Sequence, residues 1–213
     1  SHGGLTFGGL IAKEGLSFKT RIAIWQHLLS FIHQEQIEEF SCKLLPSIMN
    51  RQSAYDAYLL QALGASSSLA DLNSFVDMSK PLNISQRRLR GIHRARKSCV
   101  EVHTGHHWNI FWPLLEQNLY ERYRKSPVHQ LDEIMYLAQI FPSNIQLFTA
   151  HSQGGEIIAG VVVFFYKNVA HLQYIASNEA GRKSGAVDII IDYLMETYAA
   201  EFNYLSLGIS NTR

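Results

Sequence analysis

Residues 177–193, SNEAGRKSGAVDIIIDY, hold the pattern that decides the fold. A strand-like apolar run ends here, a segment with Gly181 and Gly185 follows, and a strongly amphipathic helix continues the chain. The first backbone N–H groups of a helix have no partner within the helix, and the helix dipole adds partial positive charge there. Glycine has no Cβ that would keep an anion away from the backbone. The segment therefore predicts an anion-binding turn between a strand and a helix.

The sequence on either side of this turn predicts a β-β-β-α-β unit. Alternating and continuous apolar runs indicate strands at residues 144–151, 156–166 and 169–176, joined by two tight turns. The helix after the glycines has one apolar face, and residues 204–209 form the last strand. The three strands before the helix are therefore antiparallel neighbours.

The first two thirds of the chain give weaker patterns. We predict helices at residues 20–34, 86–97 and 131–141, and a long helix beginning at Trp108. Strands are predicted at residues 38–45, 72–78 and 100–103, and residues 56–64 fit a strand or a helix equally well.

This order of elements resembles the GNAT acyltransferase superfamily. In that superfamily the diphosphate of coenzyme A is cradled by arginine or glutamine, two residues, glycine, one residue, and then glycine or alanine. Arg182 and Gly185 fit, Val187 stands in the last small position, and Ala186 fills that position after a shift of one residue. The resemblance implies an α/β (α+β) fold, a mixed, mostly antiparallel twisted sheet flanked by helices, with acetyl-CoA or another acyl-CoA as co-substrate. The binding residues implied are Ser177, Asn178, Gly181, Arg182, Lys183, Ser184, Gly185 and Ala186.

A second resemblance runs almost from end to end. The basic segment QRRLRGIHRARK at residues 86–97, followed by VEV at 100–102, is similar to the helix and strand that join the halves of FemAB-like tandem GNAT proteins of bacterial type. Residues 2–10 and 206–210 are similar to that group as well. The resemblance implies a partial N-terminal GNAT-like unit at 1–82, a C-terminal GNAT-like acyltransferase unit at 83–213, and a chain that continues past its last residue.

The third strand of the C-terminal unit carries the candidate catalytic residues. Acyl transfer to an amine requires a base for the ammonium, stabilisation of a tetrahedral intermediate and an acid for the leaving group. Strict alternation predicts His171 and Gln173 on one face of the strand and Leu172 and Tyr174 on the other. We expect His171 to be the base and Gln173 a positioning group. The GNAT resemblance implies a tyrosine acid, Tyr174 or Tyr204. The competing interpretation makes His171 a hydrogen-bonded histidine of the sheet and the tyrosines core residues.

A basic stripe lies on the predicted helix at residues 86–97. Arg87, Arg90, Arg94 and Lys97 recur at spacings of three, four and three residues and so share one side. An anionic partner is one interpretation: a tRNA acceptor end, the 3′-phosphate of coenzyme A or an anionic glycan lipid. A solvated helix face is the other.

Composition limits the remaining possibilities. The 19 basic and 18 acidic residues give a net charge of +1, so any binding of a polyanion has to be local. Two cysteines do not make a disulfide framework, and no apolar run reaches the roughly 20 residues of a membrane span, so we expect a cytoplasmic protein. Cys99, His103, His106 and His107 have no companion pair at zinc-finger spacing, and we predict no metal.

These observations favour an N-acyltransferase that moves an acetyl or longer acyl group from an acyl-CoA or acyl-carrier thioester to an amine. One alternative is a FemAB-like aminoacyl-tRNA-dependent transferase that acts on a cell-wall precursor. The other is a non-catalytic ligand-binding GNAT-like module.

Overall fold

The computed structural model describes residues 8–13, 15–68 and 71–210, and it divides between Leu72 and Asn73 into two compact units. Within the described residues the helices are α1 (Phe18–Gln34), α2 (Ser53–Ala62), α3 (Gln86–Lys97), α4 (Trp108–Tyr123), α5 (Leu131–Ile140), α6 (Glu179–Ser184) and α7 (Ala186–Tyr198). The strands are β1 (Leu72–Asp77), β2 (Glu101–Thr104), β3 (Ile145–His151), β4 (Ile157–Tyr166), β5 (Val169–Ser177) and β6 (Tyr204–Ser210).

The N-terminal unit contains α1 and α2, held together by a buried ion pair. Nη1 of Arg21 lies 2.8 Å from Oδ1 of Asp56, and the indole N–H of Trp25 donates to the same carboxylate at 2.8 Å. Both charged side chains are 2% exposed. Loss of either partner would leave an uncompensated buried charge, so the pair fixes how the two helices pack.

Two predictions in this unit need correction or completion. The predicted strand at residues 38–45 is wrong. Among the described residues, this segment makes one isolated parallel bridge, between Gly8 and Leu44, and no continuous ladder. The ambiguous segment at 56–64 is helical and belongs to α2. Of the opening segment that resembles the FemAB-like group, residues 2–7 lie outside the described residues.

The C-terminal unit is built on a mixed six-stranded sheet with the order β1-β6-β5-β4-β3-β2. Strands β2 to β5 are consecutive antiparallel neighbours, and β6 joins β5 in parallel because α6 and α7 carry the chain back across the sheet. Helices α3 and α7 pack on one face, where Ile190 and Leu194 meet Val161 and Phe165. Helices α4 and α5 cover the opposite face around Trp112. The predicted fold class, a mostly antiparallel sheet flanked by helices, is confirmed.

The predicted glycine-rich turn is largely helical. Residues 179–184 form α6, and the chain changes direction at Gly185, whose φ of +83° favours glycine, before α7 begins. A Cβ at Gly185 would lie 2.4 Å from the carbonyl oxygen of Gly91 in α3, and a Cβ at Gly181 would lie 2.1 Å from that of Ile158 in β4. Close packing against protein backbone therefore accounts for both glycines, in place of the open approach that the sequence suggested.

We predict that Gly181→Ala lowers the free energy of unfolding by about 1–3 kcal/mol, the usual cost of overpacking a core. The added methyl group would meet the backbone of a central strand, which has little freedom to move. Chemical denaturation measures the change.

Gly154→Ala is the matched control, because the nearest atom to its added Cβ is a side-chain oxygen at 3.7 Å. Its effect should stay within about 0.5 kcal/mol. Equal stability of the Gly181→Ala and Gly154→Ala proteins would contradict the packing described here.

Candidate active site

The ladder between the two parallel strands β5 and β6 is short. The ladder between β5 and β6 joins Val169 to Tyr204, Ala170 to Leu205, and His171 to Ser206. Beyond this point, no described residue of β5 pairs with a described residue of β6, although the strands continue through residues 172–177 and 207–210. His171 and Ser206 therefore form the last pair of this ladder, and we call the edges of β5 and β6 beyond them, which do not pair with each other, the wedge, with His171 and Ser206 at its vertex.

A β-bulge lies immediately beyond the vertex. Val162 of β4 is opposite Tyr174 and the next residue, Val163, is opposite Leu172, so Gln173 is the extra residue in β5. Leu172 packs in the core under α7, whereas Tyr174 packs under α4 and α5. The strict alternation that the sequence suggested is therefore wrong at this point, because the bulge rotates the rest of the strand by one residue.

The bulge brings the candidate catalytic side chains to one face. Adjacent side chains of a strand point to opposite faces, and Leu172 faces α7. His171 therefore points to the face covered by α4, which is also the face of Tyr174. Tyr174 packs edge-on against the indole of Trp112, with ring centroids 5.4 Å apart. Three of the four predicted catalytic residues, His171, Gln173 and Tyr174, are thus collected at the wedge.

Hydrogen bonds link these residues to partners on other elements. The Ser206 hydroxyl lies 3.0 Å from Nδ1 of His171 and donates to Oδ1 of Asn73 in β1 at 3.3 Å. Because its proton is directed to Asn73, the Ser206 oxygen is left to accept from Nδ1–H of His171. The second ring nitrogen, Nε2, then carries the lone pair that can accept a proton.

Burial shifts the pKa values of both candidate groups away from their ordinary values. It lowers the pKa of His171, which keeps the imidazole neutral at pH 7, and it raises the pKa of Tyr174, which keeps the phenol protonated. The Gln173 side chain acts on both groups in the opposite sense, raising the pKa of His171 and lowering that of Tyr174, with smaller effect than burial. At neutral pH the site therefore presents a neutral imidazole and a protonated phenol.

His129, Ser206 and Asn73 are polar partners that the sequence did not single out. His129 lies in the loop between α4 and α5, and its Nδ1 is 2.7 Å from the Tyr174 hydroxyl although 45 residues separate the two in sequence. No local motif surrounds these residues. Only the register of β6 against β5 and the path of the loop bring them to the site.

Tyr204, the other predicted acid, lies at the closed end of the ladder. It is opposite Val169, and its ring packs at 89° against Phe75 with centroids 5.5 Å apart. It is therefore separated from the hydrogen-bonded group around Tyr174.

The predicted co-substrate segment follows β5 directly. The Asn178 side chain accepts from the Gly181 N–H at 2.8 Å, and Nη1 of Arg182 donates to the Ser177 carbonyl at 2.6 Å. Lys183 pairs with Glu179 at 2.6 Å on the exposed surface, where such pairs contribute little. Beside the segment lies a shallow cleft of about 250 Å³, lined by Asn118, Glu121, Arg122 and Arg182.

The arginines of α3 divide into two sets. Arg88 pairs with Asp188 and Arg96 with Asp192, both at 2.7 Å, and these bonds tie α3 to α7. The predicted anion-binding residues Arg87, Arg90 and Arg94 are exposed, and no ion pair joins them to the described part of the chain.

Histidines cluster at the far edge of the sheet. The ring of His151 lies 4.5 Å from that of His103 and 5.2 Å from that of His107, measured between centroids. Within residues 8–13, 15–68 and 71–210, no group of three or more metal-ligating side chains is arranged to hold a metal ion. The same residues contain no helix that combines the length and the apolar character of a membrane span.

Comparison with known proteins places the chain in a family. A family model described as an acetyltransferase (GNAT) domain matches residues 86–213, more than half of the chain. The chain therefore belongs to the GNAT acetyltransferase family, a family of transferases. No curated protein sequence matches it.

Solved structures with the same fold extend the comparison toward the N-terminus. FemX aligns with a TM-score of 0.63 and 12% identity over 93% of this chain and 71% of its own. A conserved protein of unknown function from Bacteroides thetaiotaomicron VPI-5482 aligns with a TM-score of 0.64 and 13% identity, over 88% of this chain and 66% of its own.

A third structure, L-PGS from Bacillus licheniformis, aligns with a TM-score of 0.57 and 15% identity over 74% of this chain. The chain spans about half of L-PGS, 52% of its length. At these identities the similarity concerns the fold, and the predicted FemAB-like GNAT fold is confirmed.

Proposed function

We propose that the protein is an N-acyltransferase that moves an acyl group, acetyl or longer, from an acyl-CoA or acyl-carrier thioester to an amine. The observation that carries the proposal is the juxtaposition of His171, Gln173 and Tyr174 at the vertex where β5 and β6 separate. Membership of the GNAT family supports the same class of reaction.

The proposed reaction uses one side chain as the base and another as the acid. Nε2 of His171 takes a proton from the acceptor ammonium, and the amine nitrogen then attacks the thioester carbonyl. The Gln173 amide positions that carbonyl. As the carbon–sulfur bond breaks, the Tyr174 hydroxyl gives its proton to the leaving thiolate, and the nitrogen of the new amide loses its second proton to solvent. Tyr174 is preferred over Tyr204 because only Tyr174 lies in the hydrogen-bonded group.

The donor would extend from the wedge toward the segment that follows β5. Strand edges that lack a partner offer backbone N–H and C=O groups to an extended, amide-containing chain. Arg182 and Lys183 are exposed cations suited to the donor's phosphates, with Ser177, Asn178, Gly181, Ser184, Gly185 and Ala186 forming the backbone around them. Packed backbone fills the space next to Gly181 and Gly185, so a phosphate could not approach there. The proposed contact with the donor therefore depends mainly on the side chains of Arg182 and Lys183.

Donor binding and turnover test the proposal together. An acyl-CoA at about 100 times its dissociation constant should add roughly 2.7 kcal/mol to the free energy of unfolding. Thiol release in the presence of an amine panel measures turnover, and Tyr174→Phe should lower kcat by at least about 100-fold, the lower end for loss of acid–base catalysis.

Tyr136→Phe is the matched control, because Tyr136 is 62% exposed on α5, and its kcat should equal that of the unaltered protein. Absence of both stabilisation and thiol release with every acyl thioester would contradict the proposal. Stabilisation without turnover across the panel would favour a ligand-binding module.

A second candidate donor is an aminoacyl-tRNA, with a cell-wall precursor as acceptor, the function implied by the FemAB-like resemblance. The stripe formed by Arg87, Arg90 and Arg94 favours it, because α7 neutralises the neighbouring arginines and leaves these three to solvent. Three guanidinium groups on one side of a helix suit a phosphate backbone.

For this donor we predict binding that weakens steeply with salt. Replacing Arg87, Arg90 and Arg94 with glutamine should reduce the slope of log K against log salt by about 2–3, since each lost phosphate contact contributes about 1. Fluorescence anisotropy with labelled tRNA measures the slope.

The matched control removes the same total charge from exposed sites outside α3, by replacing Lys13, Lys19 and Lys125 with glutamine. Equal slopes for the two triple variants, or binding that is insensitive to salt, would exclude this donor at α3.

A further inference from the structure

The loop between α4 and α5 holds a histidine against the proposed acid. Nδ1 of His129 lies 2.7 Å from the Tyr174 hydroxyl, and the backbone N–H of His129 reaches the same oxygen at 3.4 Å. The imidazole also packs near the ring of Phe164, with centroids 6.4 Å apart. Two groups of one residue therefore converge on one phenol oxygen.

The two contacts have different chemical consequences. A backbone N–H only donates, so the Tyr174 oxygen accepts from it, and this contact stabilises a phenolate. The Nδ1 atom can accept the phenol proton in one protonation state of the imidazole and donate a proton in the other. His129 can therefore both receive a proton from Tyr174 and supply one.

The surroundings of Tyr174 leave few other proton sources. The side chain is 8% exposed, and its ring is covered by Trp112 of α4. Besides His129, the groups that act on it are Glu133 of α5, Gln173 of β5 and the backbone of Val128. Glu133 raises the pKa of Tyr174, after the larger effect of burial, as a charged carboxylate does, and Gln173 does not titrate. His129 is half-buried: its Nδ1 atom lies against Tyr174, and the residue keeps part of its surface in contact with solvent.

We propose that His129 returns the proton to Tyr174 after each acyl transfer and so connects the buried acid to solvent; the proposal rests on the proposed function. When Tyr174 gives its proton to the leaving thiolate, Nδ1–H of the protonated His129 passes a proton to the phenolate. The neutral imidazole then takes a proton from water. His171 releases the ammonium proton to solvent and the amide nitrogen loses its second proton there, so each turnover releases one net proton while His171, Tyr174 and His129 return to their starting states.

His129 is thus a positioning and proton-exchange residue that acts through Tyr174. This role predicts a dependence on pH that a purely structural hydrogen bond would not give. An imidazole titrates near neutral pH, whereas an amide in its place keeps a hydrogen bond without titrating.

The test compares the kcat–pH profiles of the unaltered protein and His129→Asn from pH 5 to about 9, the range in which an imidazole titrates. We expect His129→Asn to lower kcat about tenfold or more and to remove one ionisation from the profile. In the double variant with Tyr174→Phe, we expect no further loss beyond that of Tyr174→Phe alone, because the two residues act as a unit.

His93→Asn on the exposed side of α3 is the matched control and should leave the profile unchanged. Nuclear magnetic resonance of the imidazoles adds a readout that needs no substrate: the titration of His129 should move in Tyr174→Phe and stay in Tyr136→Phe.

Three results would each overturn the proposal. They are a kcat–pH profile that is unchanged in His129→Asn, losses of kcat that add up in the double variant, and a titration of His129 that is the same with and without the Tyr174 hydroxyl. The failure of the proposed function gives a different result. If the unaltered protein transfers no acyl group from any donor, both the proposed function and this proposal are wrong. If it transfers normally and His129→Asn has an unchanged profile, only this proposal is wrong.

Discussion

The bulge at Gln173 is the constraint on which the arrangement of the site depends. With regular alternation, His171 and Tyr174 would point to opposite faces of β5, and Tyr174 would enter the core beneath α7. The extra residue turns Tyr174 toward α4 and α5, where it meets Trp112 and His129. It also comes two residues after the last pairing of β5 with β6. A local irregularity thus places His171 and Tyr174 on one face of the sheet, next to the wedge.

Packing around α6 and α7 supports the same site from behind. Gly181 allows α6 to lie on β4, and Gly185 allows the chain to turn against Gly91 of α3. The ion pairs of Arg88 and Arg96 with α7 then hold α3 in place. The glycines therefore set the position of the segment that follows β5, in which Arg182 and Lys183 are exposed.

Much of the C-terminal unit could be predicted from sequence, because strong periodicity covers residues 144–209 and short turns leave few alternatives. The bulge could not, since nothing in HLQYIAS departs from a regular strand. His129, Ser206 and Asn73 reach the site only through long-range register. In the N-terminal unit, residues 38–45 have strand-like composition but lack a partner ladder among the described residues. The partial GNAT-like unit over residues 1–82 stays a prediction.

Hydrogen exchange of the backbone in the presence of an acyl-CoA tests most directly whether the wedge between β5 and β6 is the donor site. Amides that lack a ladder partner exchange readily, and a bound chain would protect them. We predict that the donor slows exchange within residues 172–177 and 207–210 while the N-terminal unit is unaffected. Donor binding that leaves these residues unchanged and protects another part of the chain would contradict the account.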